Sequence, residues 1–134
     1  MSAGKALRLT DQELGLSYEE DAYLITFSTR LQSYAEERGW NYSPELAPSS
    51  FLFAQMQHKK SLPDYNRGEV FENYYKPRFL EQLENKFALN RLEEIVDKLL
   101  QGRNVLLVCF CGEELYCHRS IVKEIILTTI EAQE

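Results

Sequence analysis

A chain of 134 residues, 44% hydrophobic and 27% charged, has an ordinary globular balance, and its length suits one domain with a single substantial core. Its formal net charge of -6 argues against sequence-independent nucleic-acid binding, which needs a basic surface to displace counterions, but leaves room for a local basic pocket. No apolar run approaches the roughly 20 residues that span a bilayer, the N-terminus lacks the apolar core of a signal peptide, and all three cysteines cluster between Cys109 and Cys117 instead of spreading as an even disulfide framework, so a reducing cytoplasmic location is expected.

Ala6 to Thr10 reads as a short strand, and residues 1–21 as a peripheral N-terminal strand and loop. Ala22-Tyr23-Leu24-Ile25-Thr26-Phe27 is a stronger strand, rich in β-branched and aromatic residues. Thr29 and Gln32 stand at capping-box spacing, which predicts a helix from Arg30 to Arg38 with Gly39 as its stop. Pro44 and Pro48 mark an irregular connection. A second helix is expected from Ser50 to Lys60, ended by the Leu62-Pro63-Asp64 turn.

From Glu69 to Lys86 the spacing of Val70, Phe71, Tyr74, Tyr75, Phe79, Leu80 and Leu83 is helical. Pro77 interrupts it, so the segment should kink or divide into two helices with Pro77 in the first turn of the second. Asn90 and Glu93 form another capping-box pair ahead of the stripe Leu92, Ile95, Val96, Leu99 and Leu100, with Gly102 closing the helix. Val105 to Cys111 is apolar on both faces, as suits a central strand covered by helices. A loop from Gly112 to Tyr116 then leads into a last helix carrying Ile121, Val122, Ile125, Ile126 and Ile130. The expectation is an α/β fold: a small, mostly parallel sheet flanked by helices, Rossmann-like in its layering.

In open α/β sheets ligands bind beyond the carboxyl ends of the strands, where loops hand over to helix N-termini. Cys117-His118-Arg119-Ser120 falls at such a place. Basic residues there oppose the helix dipole, and the conflict disappears if an anion is bound. Arg119 would supply a planar fork of donors and Ser120 a hydroxyl. Cys111, at the strand end, and Arg30, after the early strand, are further candidate ligand contacts. The alternative is that Arg119 pairs with Glu113, Glu114 or another carboxylate and that His118 simply packs.

Cys117 is the candidate reactive thiol, because a helix N-terminus with His118 and Arg119 beside it favours the thiolate. His118 is the candidate general acid or base. Cys109 reads as a small buried hydrophobe. Cys109, Cys111, Cys117 and His118 have the ligand types of a zinc site, but their spacing is unusual and an adjacent Cys117 and His118 rarely suit one tetrahedral ion, so no metal or other cofactor is expected. A cysteine-phosphatase or rhodanese loop is excluded, since no cysteine stands five or six residues before Arg119. His58 reads as a solvated helix end, and Tyr74 and Tyr75 as core.

The apolar strand ending in cysteine, the short acidic loop, and Cys117-His118-Arg119-Ser120 leading into an apolar helix from Ile121 together resemble the C-terminal signature of the domain-of-unknown-function family 488. Leu46-Ala47-Pro48-Ser49 is similar to a segment of one branch of that family. On this resemblance Arg30 matches an arginine near the end of the early strand, and the tyrosine-bearing helix from Glu69 matches an aromatic helix before the last strand. The likeness runs from about Ala22 to Ile130 and its last motif is the specific one. Thr26-Phe27-Ser28-Thr29-Arg30 lacks the aspartate and the proline turn that members commonly carry. Cys109-Phe110-Cys111 is also similar to the cysteine-x-cysteine of a second uncharacterised family, number 4326. The resemblance implies an α/β fold with the cysteine-histidine-arginine loop as its site, and no assigned activity.

Two functions fit these residues. One is an enzyme or binding protein for a phosphate-bearing small molecule, nucleotide or nucleic-acid end, with Arg30, Cys111, Cys117, His118, Arg119 and Ser120 at its site. The other is a non-catalytic protein-interaction module in which the loop is structural; an exposed apolar patch among Phe51, Phe53, Tyr74 and Tyr75 would favour it.

Overall fold

The computed structural model describes residues 5–8, 21–103, 105–109 and 117–133, the side chains of 5–8 and of Thr29 excepted. Strand β4 (Val105–Cys109) is buried along its whole length. It lies between β1 (Lys5–Arg8) and β2 (Asp21–Leu24), and β2 carries the two-residue β3 (Asn41–Tyr42) on its other edge. All three described pairings are parallel. The architecture is the expected α/β one, a small parallel sheet flanked by helices.

Strand alternation sorts the core into two layers. Val105, Leu107 and Cys109 of β4 point, with Tyr23 and Ile25, into the larger cluster, which is filled by α5 (Lys86–Leu100) and α6 (His118–Gln133) through Ile95, Leu99, Ile121 and Ile126. Leu106 and Val108 point the other way, with Ala22 and Leu24, onto Leu31, Tyr34 and Ala35 of α1 (Thr29–Glu37). Each Leu or Ile side chain so buried contributes about 1.5–3 kcal/mol relative to exposure. The chain therefore leaves β2 toward one face of the sheet and β4 toward the other. The adjoining carboxyl ends of β2 and β4 are the topological switch point, where such sheets form a crevice.

The early strand ends sooner than its pattern predicts. Ile25 still donates its N–H to the Val108 carbonyl at 2.9 Å, after which Thr26 and Phe27 leave the sheet. The Ser28 N–H then meets the Tyr42 hydroxyl oxygen at 2.8 Å, and the Ser28 hydroxyl caps α1 by accepting from the Leu31 N–H. Gly39, with φ of 70°, follows α1 in the left-handed conformation that glycine adopts without strain. Helix α2 (Ser50–Lys60) keeps its expected bounds, capped by Ser49.

The segment around Pro77 divides into α3 (Arg67–Val70), a π-helical turn (Phe71–Tyr75) and α4 (Lys76–Gln82). Pro77 falls in the first turn of α4, directly after the π-helical turn. The Lys76 N–H reaches back five residues to the Phe71 carbonyl, so the wide turn absorbs the proline without breaking the helix axis. Helix α4 stops at Gln82 instead of continuing to Lys86, because Asn85 is extended and its side chain caps α5 by accepting from the Ala88 N–H at 3.0 Å. That cap also corrects the expected start of α5: Asn90 lies inside the helix, and the extra turn from Lys86 buries Ala88. Gly102 follows α5 with φ of 86°. No described helix is long and apolar enough to cross a membrane.

Candidate functional site

Helix α6 begins at His118, so Cys117-His118-Arg119-Ser120 forms its entry and first turn, at the carboxyl end of the sheet as expected. Cys117 behaves as the cap. Its sulfur accepts the Arg119 N–H at 3.5 Å, and its carbonyl accepts both the Ser120 N–H at 3.0 Å and the Ser120 hydroxyl at 2.7 Å. A sulfur receiving a first-turn N–H sits at the positive end of the helix dipole, which favours its thiolate form. The Ser120 proton is engaged within the turn, so the hydroxyl braces the loop.

His118 is buried and its Nε2 lies 2.6 Å from the carbonyl oxygen of Ile25, just beyond β2. A carbonyl only accepts, so Nε2 carries the proton. Burial pushes the imidazole below its usual range and the Arg119 guanidinium pushes the same way, against opposing contributions from the Cys109 sulfur and the Ile25 carbonyl. The ring is thus neutral at physiological pH, with Nδ1 unprotonated and facing the Cys117 sulfur at 3.5 Å. An aromatic ladder sets the ring from behind. Phe71 stacks on Tyr75 (5.7 Å between centroids), Tyr75 on Phe79 (5.9 Å), and Phe79 meets His118 edge-on at 5.8 Å. The four-residue spacing of the aromatic helix thereby ends at the site.

Cys109, which sequence reasoning reduces to a core residue, belongs to this group. Its sulfur is 3.3 Å from that of Cys117. Cys109, Cys117 and His118 place one ligand-type atom each within 4.8 Å of one another, all buried. The sequence pattern carries the strand on to Cys111 and makes that residue the candidate contact, so nothing local marks Cys109 as the sulfur that meets Cys117.

Arg119 is 2% exposed, and its Nε and Nη1 have no hydrogen-bond partner among the described residues. Other cations do find carboxylates, as Arg91 does with Glu45 at 2.6 Å and Arg103 with Asp21 at 2.9 Å. Arg30 is exposed on the first turn of α1. Cys111 lies outside the described residues, as do Glu113 and Glu114. His58 is exposed at the end of α2, as its setting suggests.

The family model described as the active DUF488-N3 subclade, DUF488-N3a, matches residues 16–129. No curated protein and no solved structure matches the chain.

Proposed function

The chain belongs to the DUF488-N3a family, the active DUF488-N3 subclade, and on that premise we propose that it binds a phosphate-bearing ligand, a nucleotide or a nucleic-acid end, at the Cys117–Ser120 turn. The observation that carries this reading is the buried Arg119 guanidinium with two unpartnered donor atoms among the described residues. An unpaired buried cation costs several kcal/mol, and a bound anion removes that cost while matching the planar donor fork. The first-turn amides of Arg119 and Ser120 are already taken up by Cys117, so the guanidinium, not the helix terminus, is the principal anion contact.

Chemistry at this site runs through the Cys117–His118 pair. Neutral His118 can accept the Cys117 thiol proton at Nδ1, and the helix terminus stabilises the resulting thiolate. Membership of the active DUF488-N3 subclade favours such a role over a structural one. The interaction-module alternative draws less support: Phe51 and Phe53 are exposed (72% and 57%), but Tyr75 is in the core and Tyr74 lies under the Lys59 and Arg78 cations.

The test is a thermal-shift screen of wild type and Arg119→Ala against phosphate, sulfate, nucleotides and short oligonucleotides. A ligand that binds the native state alone raises the midpoint. Stabilisation by a phosphate ligand, weakened at least about tenfold in affinity by Arg119→Ala, is the expected result. Equal shifts in both proteins, or none, would return the turn to a structural role.

A further inference from the structure

We propose that Cys109, Cys117 and His118 are three ligands of a zinc(II) site. The inference goes beyond anion binding and does not depend on it; an ion held there would occupy the Cys117 sulfur and His118 Nδ1, so the thiol chemistry proposed above belongs to the metal-free protein. Two sulfurs and an imidazole nitrogen are borderline-to-soft donors of the kind zinc takes, and two cysteines and one histidine are three of the four ligands a tetrahedral ion needs, all among the described residues.

The geometry is close to what the ion needs. With zinc–sulfur bonds of about 2.3 Å and a zinc–nitrogen bond of about 2.0–2.1 Å, a tetrahedral ion holds its sulfurs about 3.8 Å apart and sulfur and nitrogen about 3.6 Å apart. The Cys109 and Cys117 sulfurs stand 3.3 Å apart, and Cys117 Sγ is 3.5 Å from His118 Nδ1. Admitting the ion takes two movements: the sulfurs open by about half an ångström, and the Cys109 sulfur and the imidazole nitrogen, which lie within 4.8 Å of one another, settle to about 3.6 Å. Adjacency of Cys117 and His118 proves no obstacle, because the first turn of α6 folds Nδ1 back over the preceding sulfur.

The surroundings have the form of a metal's outer shell. A ligating histidine ordinarily donates its other ring N–H to a carbonyl or carboxylate, which fixes tautomer and ring plane. His118 Nε2 does this to Ile25 across 93 residues of chain, turning Nδ1 toward the sulfurs. The Arg119 N–H on Cys117 Sγ adds the backbone donor that thiolate ligands commonly receive. Binding would exchange the two thiol protons for one divalent ion, S–H bonds giving way to zinc–sulfur bonds with no change of oxidation state. Zinc(II) with two thiolates is neutral overall, so the assembly is cheaper to bury than either the ion or the thiolates alone.

The decisive experiment uses cobalt(II) as the probe on full-length, chelator-treated, reduced protein. The wild type is expected to take up one equivalent of cobalt(II), with a thiolate-to-metal charge-transfer band and the intense visible bands of a four-coordinate ion, both erased by one equivalent of zinc(II). Cys109→Ala, alanine being an apolar occupant of the same buried place, is expected to lose the charge-transfer intensity or weaken uptake by at least about tenfold. Arg119→Ala is expected to keep the cobalt spectrum while losing phosphate stabilisation, so the two readings fail separately. Wild-type protein that takes up no stoichiometric cobalt, or uptake unchanged by Cys109→Ala, would overturn the proposal whether or not any variant folds well.

Discussion

The Nε2 of His118 lies 2.6 Å from the carbonyl oxygen of Ile25, joining the first turn of the last helix to the end of a strand 93 residues earlier. This contact ties the start of α6 to the chain just beyond β2 at the switch point. It also decides which ring nitrogen carries the proton, and hence that Nδ1 is the one turned to Cys117.

The same burial makes stability depend on pH in a defined direction. The folded protein holds His118 below its ordinary pKa of about 6.5. As pH falls, the unfolded chain therefore takes up this proton first. The contribution is fully present above the ordinary value and is lost progressively below it, until the folded ring also protonates. Urea midpoints of metal-free protein should fall between about pH 7.5 and about pH 5.5, and His118→Gln should flatten that fall. Glu94 does not interfere. Burial alone would raise its carboxyl, but the Tyr23 hydrogen bond and the Arg91 and Lys98 charges outweigh this and hold it below the carboxylate range. Parallel pH curves for wild type and variant would mean that the ring is not buried neutral.

Arg119 offers a sharper separation of stability from function. In the absence of ligand its guanidinium is a buried charge, so Arg119→Met, similar in length and apolar, should leave stability unchanged or raise it by about 1–4 kcal/mol. The same variant should lose stabilisation by phosphate ligands. Arg119→Lys should recover little of it, since a point charge does not reproduce a planar fork. Denaturation midpoints with and without ligand read both effects. A strong loss of stability in Arg119→Met without ligand would show that the guanidinium serves the fold.

Much of this arrangement was legible in the sequence because the controlling signals are local. The unbroken apolar run from Val105 can only be a strand covered on both faces, and the isoleucine spacing after Ser120 can only be an amphipathic helix. Together they put Cys117 to Ser120 at a strand-to-helix handover. Caps were less legible, because Ser28 and Thr29, or Asn85 and Asn90, offer equivalent chemistry, and tertiary contacts choose between them: the Tyr42 hydroxyl at Ser28, and the burial of Ala88 after Asn85. The partners of the site were not legible at all. Nothing in the local pattern brings the Ile25 carbonyl to His118, and a cysteine in an apolar strand looks the same whether it meets a leucine or the sulfur of Cys117.

A polar network beside the larger core makes an independent prediction. The Tyr23 ring is fully buried, and its hydroxyl donates to Glu94, which also pairs with Arg91 at 3.3 Å. Burial, and then the Glu94 carboxylate, push the Tyr23 hydroxyl pKa well up, so it remains a donor in any ordinary buffer. Tyr23→Phe keeps the ring and removes the donor, and should cost about 1–2 kcal/mol in urea unfolding. In Glu94→Gln the same change should cost less, and the difference measures the coupling between the two. No difference would show the bond to be replaced by water.

The 3.3 Å between Cys109 and Cys117 sulfurs makes the pair a candidate for oxidation as well as for metal. A disulfide needs its sulfurs at about 2.05 Å, so the two sulfurs must close by little more than an ångström. With oxidised glutathione, a cysteine thiolate attacks the disulfide and releases one glutathione thiol. The second cysteine then displaces the other, leaving an intramolecular disulfide and two reduced glutathiones. Both sulfurs are buried, so the reaction should be slow in the native state and limited by local opening. Mass spectrometry after denaturing alkylation should show Cys109 and Cys117 linked to each other, and not each bonded to glutathione. One equivalent of zinc(II) should suppress the linkage, since metal-held thiolates are poor nucleophiles and the opened sulfur spacing disfavours closure. Stable mixed disulfides on both residues would show that the two sulfurs are further apart in solution, and would count equally against the shared metal.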